Sequence, residues 1–231
     1  MSEQNNPPRR TVVSYVQRGG RMTVGQQRAW DTHWAKLGRE VTELPDGPVD
    51  FPGWFGRPAP VLLEIGSGMG ETTARLAAVA PEVNYVAVEV YPPGLGQLML
   101  RAESLGLTNL RLLRGDAVDL LGEHVPRESL AGVRVFFPDP WPKKRHHKRR
   151  LIQPGFVALL ASRLAVGGTL HMATDWADYA AQMLTVCAGE PLLRNRFDGY
   201  APRPEWRPVT KFESRAREEG RPSADLIFER V

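Results

Sequence analysis

From Pro60 onward the chain repeats one pattern, a short run of apolar residues followed by an amphipathic stretch long enough for a helix. The runs are "VLLEI" at 61 to 65, "YVAVEV" at 85 to 90, "LRLLRGD" at 110 to 116, "VRVFF" at 133 to 137 and "TLHMATD" at 169 to 175. Residues 70 to 80, 94 to 106, 118 to 124, 154 to 166 and 176 to 188 read as the intervening helices. A strand that is apolar without alternation is buried on both faces, which requires a mostly parallel sheet with helices above and below it. The fold class is therefore α/β, doubly wound. A further helix near 210 to 219 precedes "ADLIFERV", which is expected to close the sheet as an edge strand. Ahead of the pattern, "TVGQQRAWDTHWAKLG" has Thr23 as a cap and Gly38 as a stop and predicts an N-terminal helix, while the proline- and glycine-rich residues 39 to 59 read as a connector.

A chain of 231 residues can bury one sizeable core. The expected organisation is a flexible tip over residues 1–17, the helix and connector over 18–58, and one domain over 59–231. Trp30 and Trp34 share a helix face and are expected to pack on that domain, while Arg18, Arg21 and Arg28 leave contact with an anionic partner as the alternative. The single cysteine, Cys187, excludes an intrachain disulfide and a thiolate metal cluster. With no membrane-length apolar window and a polar opening, "MSEQNNPPRR", the expected location is the cytoplasm.

In an open α/β sheet ligands bind outside the carboxyl ends of the strands, and here those ends are rich in acids. The first run continues as "EIGSGMGE", where Gly66, Gly68 and Gly70 allow a tight turn and close approach of a ligand to the backbone. Glu89 ends the second run, 23 residues beyond Gly66, the spacing of a carboxylate that accepts from ribose hydroxyls. Asp116 ends the third, placed for an adenine amino group. A dinucleotide turn would have a small residue where this chain has Glu71, an acid unsuited to a pyrophosphate at a helix start, and there is no Walker lysine. A nucleoside cofactor without phosphate fits better, its ammonium drawn to an acid such as Glu64. S-adenosylmethionine has that chemistry.

The fourth run leads into "FFPDPWPKKRHHKRR" at 136 to 150. Prolines on both sides of Asp139 fix its backbone and lower the entropy cost of holding the carboxylate at the crevice, so Asp139 is read as functional. Trp141, Phe136 and Phe137 are assigned to packing. The segment from Lys143 to Arg150 holds six lysines and arginines; against a net charge of +4 this leaves the rest of the chain at about −2. Basicity confined to one rim suits a polyanion, and a run of that size can reach several phosphates. His146 and His147 lack acid or cysteine partners at ligand spacing, so no metal is expected. Asp175, ending the fifth run, reaches the same mouth. Thr210 and Glu213 in "TKFE" read as a capping box, which leaves Lys211 and Phe212 without a role.

Together, "EIGSGMGE", "VEVYPPGLG", "GDA", "FPDPWPKKRHHKRRL", "ATDW" and "TKFE" give a chain that resembles the bacterial tRNA (guanine-N7-)-methyltransferases from about Arg18 to the C-terminus. The fourth of these motifs is the specific one; the first is shared by many methyltransferases. The resemblance implies a Rossmann-like methyltransferase sheet with an N-terminal helical extension. It implies S-adenosylmethionine contacts at Glu64, Gly66, Gly68, Gly70, Glu89, Asp116 and Asp139, with Asp139 also catalytic. It places the substrate guanosine against Lys143, Asp175, Thr210, Lys211, Phe212 and Glu213; from its chemistry Glu213 is further expected to accept from the guanine Watson–Crick edge. It assigns Arg145, His146, His147, Lys148, Arg149 and Arg150 to the tRNA, and the target to nucleotide 46 of the variable loop. The alternative is a methyltransferase acting on another RNA, a small molecule or a protein, for which the basic rim has little use.

Overall fold

The computed structural model describes residues 12–16 and 19–231, apart from the side chains of Lys211 and Phe212. Most of the expected tip, and Arg18, lie outside the described residues. Helix α1 (Val24–Leu37) starts in a complete capping box: the Thr23 hydroxyl accepts from the Gln26 amide, and the Gln26 side chain accepts from that of Thr23. The expected connector then forms β1 (Gly38–Glu40), a 3-10 turn (Val41–Glu43) and α2 (Phe51–Phe55), elements too short to display a hydrophobic period.

The repeating pattern follows as β2 (Val61–Ile65), α3 (Glu71–Val79), β3 (Asn84–Glu89), α4 (Pro92–Leu105), β4 (Leu110–Arg114) and α5 (Ala117–Asp119), which runs on into a π turn over Leu120–His124. After it come β5 (Leu130–Phe136), a 3-10 helix over Lys144–Arg149, α6 (Pro154–Arg163), β6 (Leu164–Thr174), α7 (Ala177–Ala188), β7 (Leu193–Asn195), α8 (Lys211–Glu218) and β8 (Ala224–Arg230). The eight strands lie in the order β1-β4-β3-β2-β5-β6-β8-β7. The first six run parallel, while β8 is antiparallel to both of its neighbours. Strand β8 is therefore not the edge strand expected, because β7 covers it, and three residues leave no signal in a sequence.

The chain winds outward from β2 through β3 and β4, then returns to build β5 and β6 on the other side. The crevice between the carboxyl ends of β2 and β5 is thus the switch point where such sheets bind ligands. Core residues fill both faces. Leu63, Val88, Val133 and Met172 pack toward α6 and α7, and Tyr85, Ala87 and Leu112 pack toward α1, α3 and α4. Helix α1 docks on α4, where Arg28 forms a two-pronged ion pair with Glu103 at 2.7 and 3.1 Å. Trp30 and Trp34 stack with ring centres 4.1 Å apart. The tryptophans pack as expected, and Arg28 is committed to protein.

Candidate active site

The turn from β2 into α3 carries the backbone that a cofactor would approach. Gly66, Gly68 and Gly70 all have positive φ, at 74°, 54° and 70°. A Cβ on Gly70 would lie 2.5 Å from Leu98, and one on Gly94 at the start of α4 would lie 2.3 Å from the Gly68 carbonyl oxygen, so α4 seats directly on the turn. The Glu89 carboxylate is fixed by three backbone donors, Gly68 at 2.8 Å, Val90 at 2.7 Å and Tyr91 at 3.0 Å. Asp116 caps α5 by accepting from the Val118 amide at 2.9 Å and remains half-buried at the end of β4.

Glu64 lies deeper. It is buried, accepts from the Thr73 hydroxyl at 2.8 Å, and among the described residues no cation comes within ion-pair distance. Burial pushes its carboxyl up to about 7, opposed by the Thr73 bond and the attraction of Arg134 and helped by repulsion from Glu89. A buried acid without an ion-pair partner at the floor of a crevice suits the ammonium of a ligand. This is the observation on which S-adenosylmethionine fits the residues present.

Glu64 also sets a pH dependence. Because its folded value exceeds the ordinary 4.5, its favourable contribution is complete below pH 4.5 and is lost as pH rises through 7. Glu64→Gln does not titrate, so without cofactor it should melt close to wild type at pH 4.5. By pH 8 it should be the more stable protein, by up to roughly 3 kcal/mol. Melting curves from pH 4.5 to 8.5 test this, and a constant offset between the two would contradict it.

Across the crevice, Phe136 ends β5 in the core as expected. Phe137 is only half-buried, with φ 52°, and turns the chain outward into Pro138–Asp139–Pro140. The Asp139 carboxylate accepts from the Val16 amide at 3.3 Å, and Trp141, at φ 45°, donates from its indole N–H to the Ser14 carbonyl at 3.3 Å. Ser14 and Val16 fall within the expected flexible tip, yet their backbones dock on the motif. They do so through amide and carbonyl groups that every residue has, which is why no side chain announces it.

Beyond Trp141, Lys143, Lys144, Arg145, Lys148 and Arg149 are exposed, and His146 and His147 are half-buried. The Arg149 guanidinium stacks 5.0 Å over the Trp141 ring. Partial burial and the surrounding cations Arg145, Arg149, Lys143 and Lys148 hold His146 below its ordinary value, so it is neutral at pH 7. Arg150 departs from the RNA-contact reading. It is buried and donates to the Pro140 carbonyl at 2.8 Å, Gln182 at 2.8 Å and Asp178 at 2.7 Å, bracing the Asp139 loop from beneath.

Asp175, at the end of β6, accepts from Arg221 at 3.0 Å. Thr210 caps α8, its hydroxyl accepting from the Glu213 amide at 3.1 Å. Only that half of the predicted capping box forms. The Glu213 carboxylate is buried and accepts instead from Arg203 at 2.7 Å, Arg207 at 2.7 Å, Arg217 at 2.9 Å and Ser223 at 3.1 Å. Four donors occupy the sites a carboxylate offers, so Glu213 anchors its segment here and does not present a free acceptor to a guanine edge. The side chains of Lys211 and Phe212 lie outside the described residues. Arg203, Arg207 and Arg221, the partners of these acids, were not singled out in the sequence; an arginine held by a distant acid has no local pattern.

Among the described residues no His, Cys, Asp or Glu group is arranged to hold a metal, and no helix is long and apolar enough to cross a membrane. The fold is shared with solved methyltransferases. The 16S rRNA methyltransferase KamB superposes with a TM-score of 0.60 at 16% identity, covering 84% of this chain and 99% of that one. TrmN from Thermus thermophilus gives 0.53 at 17% identity, covering 75% and 45%. A glycine turn after the first parallel strand, acids at the next two strand ends and a switch-point crevice define a methyltransferase of the Rossmann-like class that uses S-adenosylmethionine. A family described as putative methyltransferase matches residues 58–226, and the tRNA (guanine-N(7)-)-methyltransferases of Bordetella pertussis and Nitrosospira multiformis are each 52% identical, covering 98% and 96% of this chain and 88% and 95% of theirs. The chain belongs to the tRNA (guanine-N7-)-methyltransferase family.

Proposed function

We propose that this enzyme transfers the methyl group of S-adenosylmethionine to N7 of guanosine 46 in the tRNA variable loop, forming 7-methylguanosine. The observation that carries this reading is the position of Asp139, a carboxylate held between two prolines across the crevice from the glycine turn and next to five exposed lysines and arginines. The names of its relatives support tRNA as the substrate.

S-adenosylmethionine supplies a methyl group on a positively charged sulfur. Guanine N7 has an in-plane lone pair, so the new N–C bond forms as the C–S bond breaks, and no proton moves. No general base is needed. Positive charge shifts from sulfur to the purine, and Asp139 is placed to stabilise it while holding the base in line. Glu64 receives the ammonium, Glu89 the ribose hydroxyls and Asp116 the adenine amino group, with Gly66, Gly68 and Gly70 giving room at the backbone. Lys143, Asp175 and the segment Thr210 to Glu213 grip the guanosine, Glu213 acting by anchoring that segment through its arginines.

The exposed rim binds the tRNA backbone, which positions the RNA while the pocket selects the atom. Replacing Lys144, Lys148 and Arg149 together by glutamine should leave cofactor affinity unchanged and lower the slope of log affinity against log salt by roughly 2 to 3. An unchanged slope would show that these residues face solvent only. For the address, a transcript with adenosine at nucleotide 46 should accept no label while the parent transcript does; equal labelling would move the target elsewhere.

A further inference from the structure

Four polar residues stand in a row across the face of the sheet that carries Tyr85 and Ala87. Glu64 of β2 is the register partner of Arg134 in β5, and Arg134 is the partner of His171 in β6. His171 then meets Asp225 of β8, Nε2 to Oδ1, at 2.7 Å. Each of the first three stands between two apolar residues of its strand, a costly place for a polar side chain unless it has a task.

Arg134 has an unusual setting. Its guanidinium lies 4.7 Å over the Trp206 ring and 5.8 Å from that of Tyr85, and its Nη1 is buried without a hydrogen-bond partner among the described residues. On the His171 side no unmatched acid among the described residues draws its charge. Burial, against the pull of Asp225, keeps the imidazole below its ordinary value and so neutral at pH 7. Asp225 is already matched by Arg207 at 2.9 and 3.0 Å. The other groups facing Glu64 are the Thr73 hydroxyl from α3, and Glu89 and Tyr85 from β3. Burial holds the Tyr85 phenol above its ordinary value, so it carries no charge. Among the described residues Arg134 is the cation of this neighbourhood, and Glu64 is the acid without an ion-pair partner.

We infer that Arg134 is a positioning residue for the cofactor, the half-buried cation that keeps a charged carboxylate at Glu64 available to the ligand's ammonium. This rests on the reading that Glu64 receives the ammonium. It also explains why the arginine stops short of an ion pair: a closed pair would occupy the oxygens the ligand needs, whereas a cation held one strand away acts through its field alone.

The test compares binding of S-adenosylhomocysteine, which keeps the ammonium, with 5′-methylthioadenosine, which lacks it, by calorimetry from pH 5.5 to 8. Arg134→Gln should bind S-adenosylhomocysteine roughly tenfold more weakly at pH 6.5, with the deficit narrowing toward pH 8. Direct repulsion between Arg134 and the ammonium would act oppositely and at every pH, so it cannot produce this displacement along the pH axis. Methylthioadenosine should bind the variant as it binds wild type, and Arg134→Lys should restore most of the loss. Superimposable pH profiles, or equal weakening of both ligands, would overturn the inference and leave Arg134 a packing residue. Glu64→Gln separates the two readings: if it binds S-adenosylhomocysteine like wild type at every pH, the ammonium assignment fails and takes the role of Arg134 with it. If Glu64→Gln loses that ligand alone while Arg134→Gln does not, only Arg134 is misassigned. Arg134→Met, which fills the space between Tyr85 and Trp206, repeats the comparison should the glutamine variant not fold.

Discussion

Asp139→Ala should lower single-turnover methyl transfer by roughly 10²- to 10³-fold, the cost of removing one preorganised electrostatic group from a reaction centre. Little of this should come from stability. Asp139 is half-buried, lies on a loop beyond β5, and accepts from the Val16 amide at 3.3 Å, so its loss opens no core cavity. Melting temperature should therefore change little while the rate collapses. Asp139→Asn divides the effect further, since it keeps the shape and removes the charge. If stabilising the charge that arrives on the purine is the main contribution, Asn should be nearly as slow as Ala. If holding the base in line dominates, Asn should recover much of the rate. A variant at wild-type rate would remove Asp139 from the reaction altogether.

Arg207→Met should be strongly destabilising. Arg207 is buried and bridges two buried acids, bonding Glu213 at 2.7 Å and Asp225 at 2.9 Å. Removing it leaves two carboxylates without their shared cation, a loss of roughly 3–5 kcal/mol, and for a chain of this size a fall in melting temperature of about 10 °C or more. Burial alone would raise the Glu213 carboxyl, but the Arg203 hydrogen bond and the attraction of Arg207 outweigh it and hold it at about 2. A depressed acid contributes stability that is present above its ordinary 4.5 and is lost as pH falls through 2. The gap between variant and wild type should accordingly narrow as pH drops from 4.5. A thermal midpoint within a degree or two of wild type at neutral pH would show that the cluster relaxes or hydrates without its arginine.

Those two residues also mark where a sequence is readable and where it is not. Asp139 is legible because its constraint is local: two prolines and a strand end are visible in five residues. The same holds for Glu89 and Asp116, which follow apolar runs at fixed spacing, and for Thr23, whose capping box lies within four residues. Arg207 is illegible because its partners lie in α8 and β8 and only the folded chain brings them together. Arg150 shows the limit within one motif, since six similar cations carry the same local signal while tertiary structure turns one inward against Gln182 and Asp178. The spacing of Glu213 to Thr210 is correct for a cap; the carboxylate turns elsewhere because three guanidinium groups and the Ser223 hydroxyl surround it. Arg134 and His171 did leave a trace, as polar residues with apolar neighbours on both sides inside "VRVFF" and "TLHMATD". Their meaning appears only when register sets Glu64, Arg134 and His171 side by side.

The most direct measurement is transfer of a radiolabelled methyl group from S-adenosylmethionine to an unmodified tRNA transcript, followed by complete nuclease digestion and identification of the labelled nucleoside. The structure and the proposed chemistry predict label in 7-methylguanosine alone, dependent on Asp139. A protein that binds S-adenosylmethionine yet leaves tRNA unlabelled, or that labels a nucleoside other than 7-methylguanosine, would contradict it.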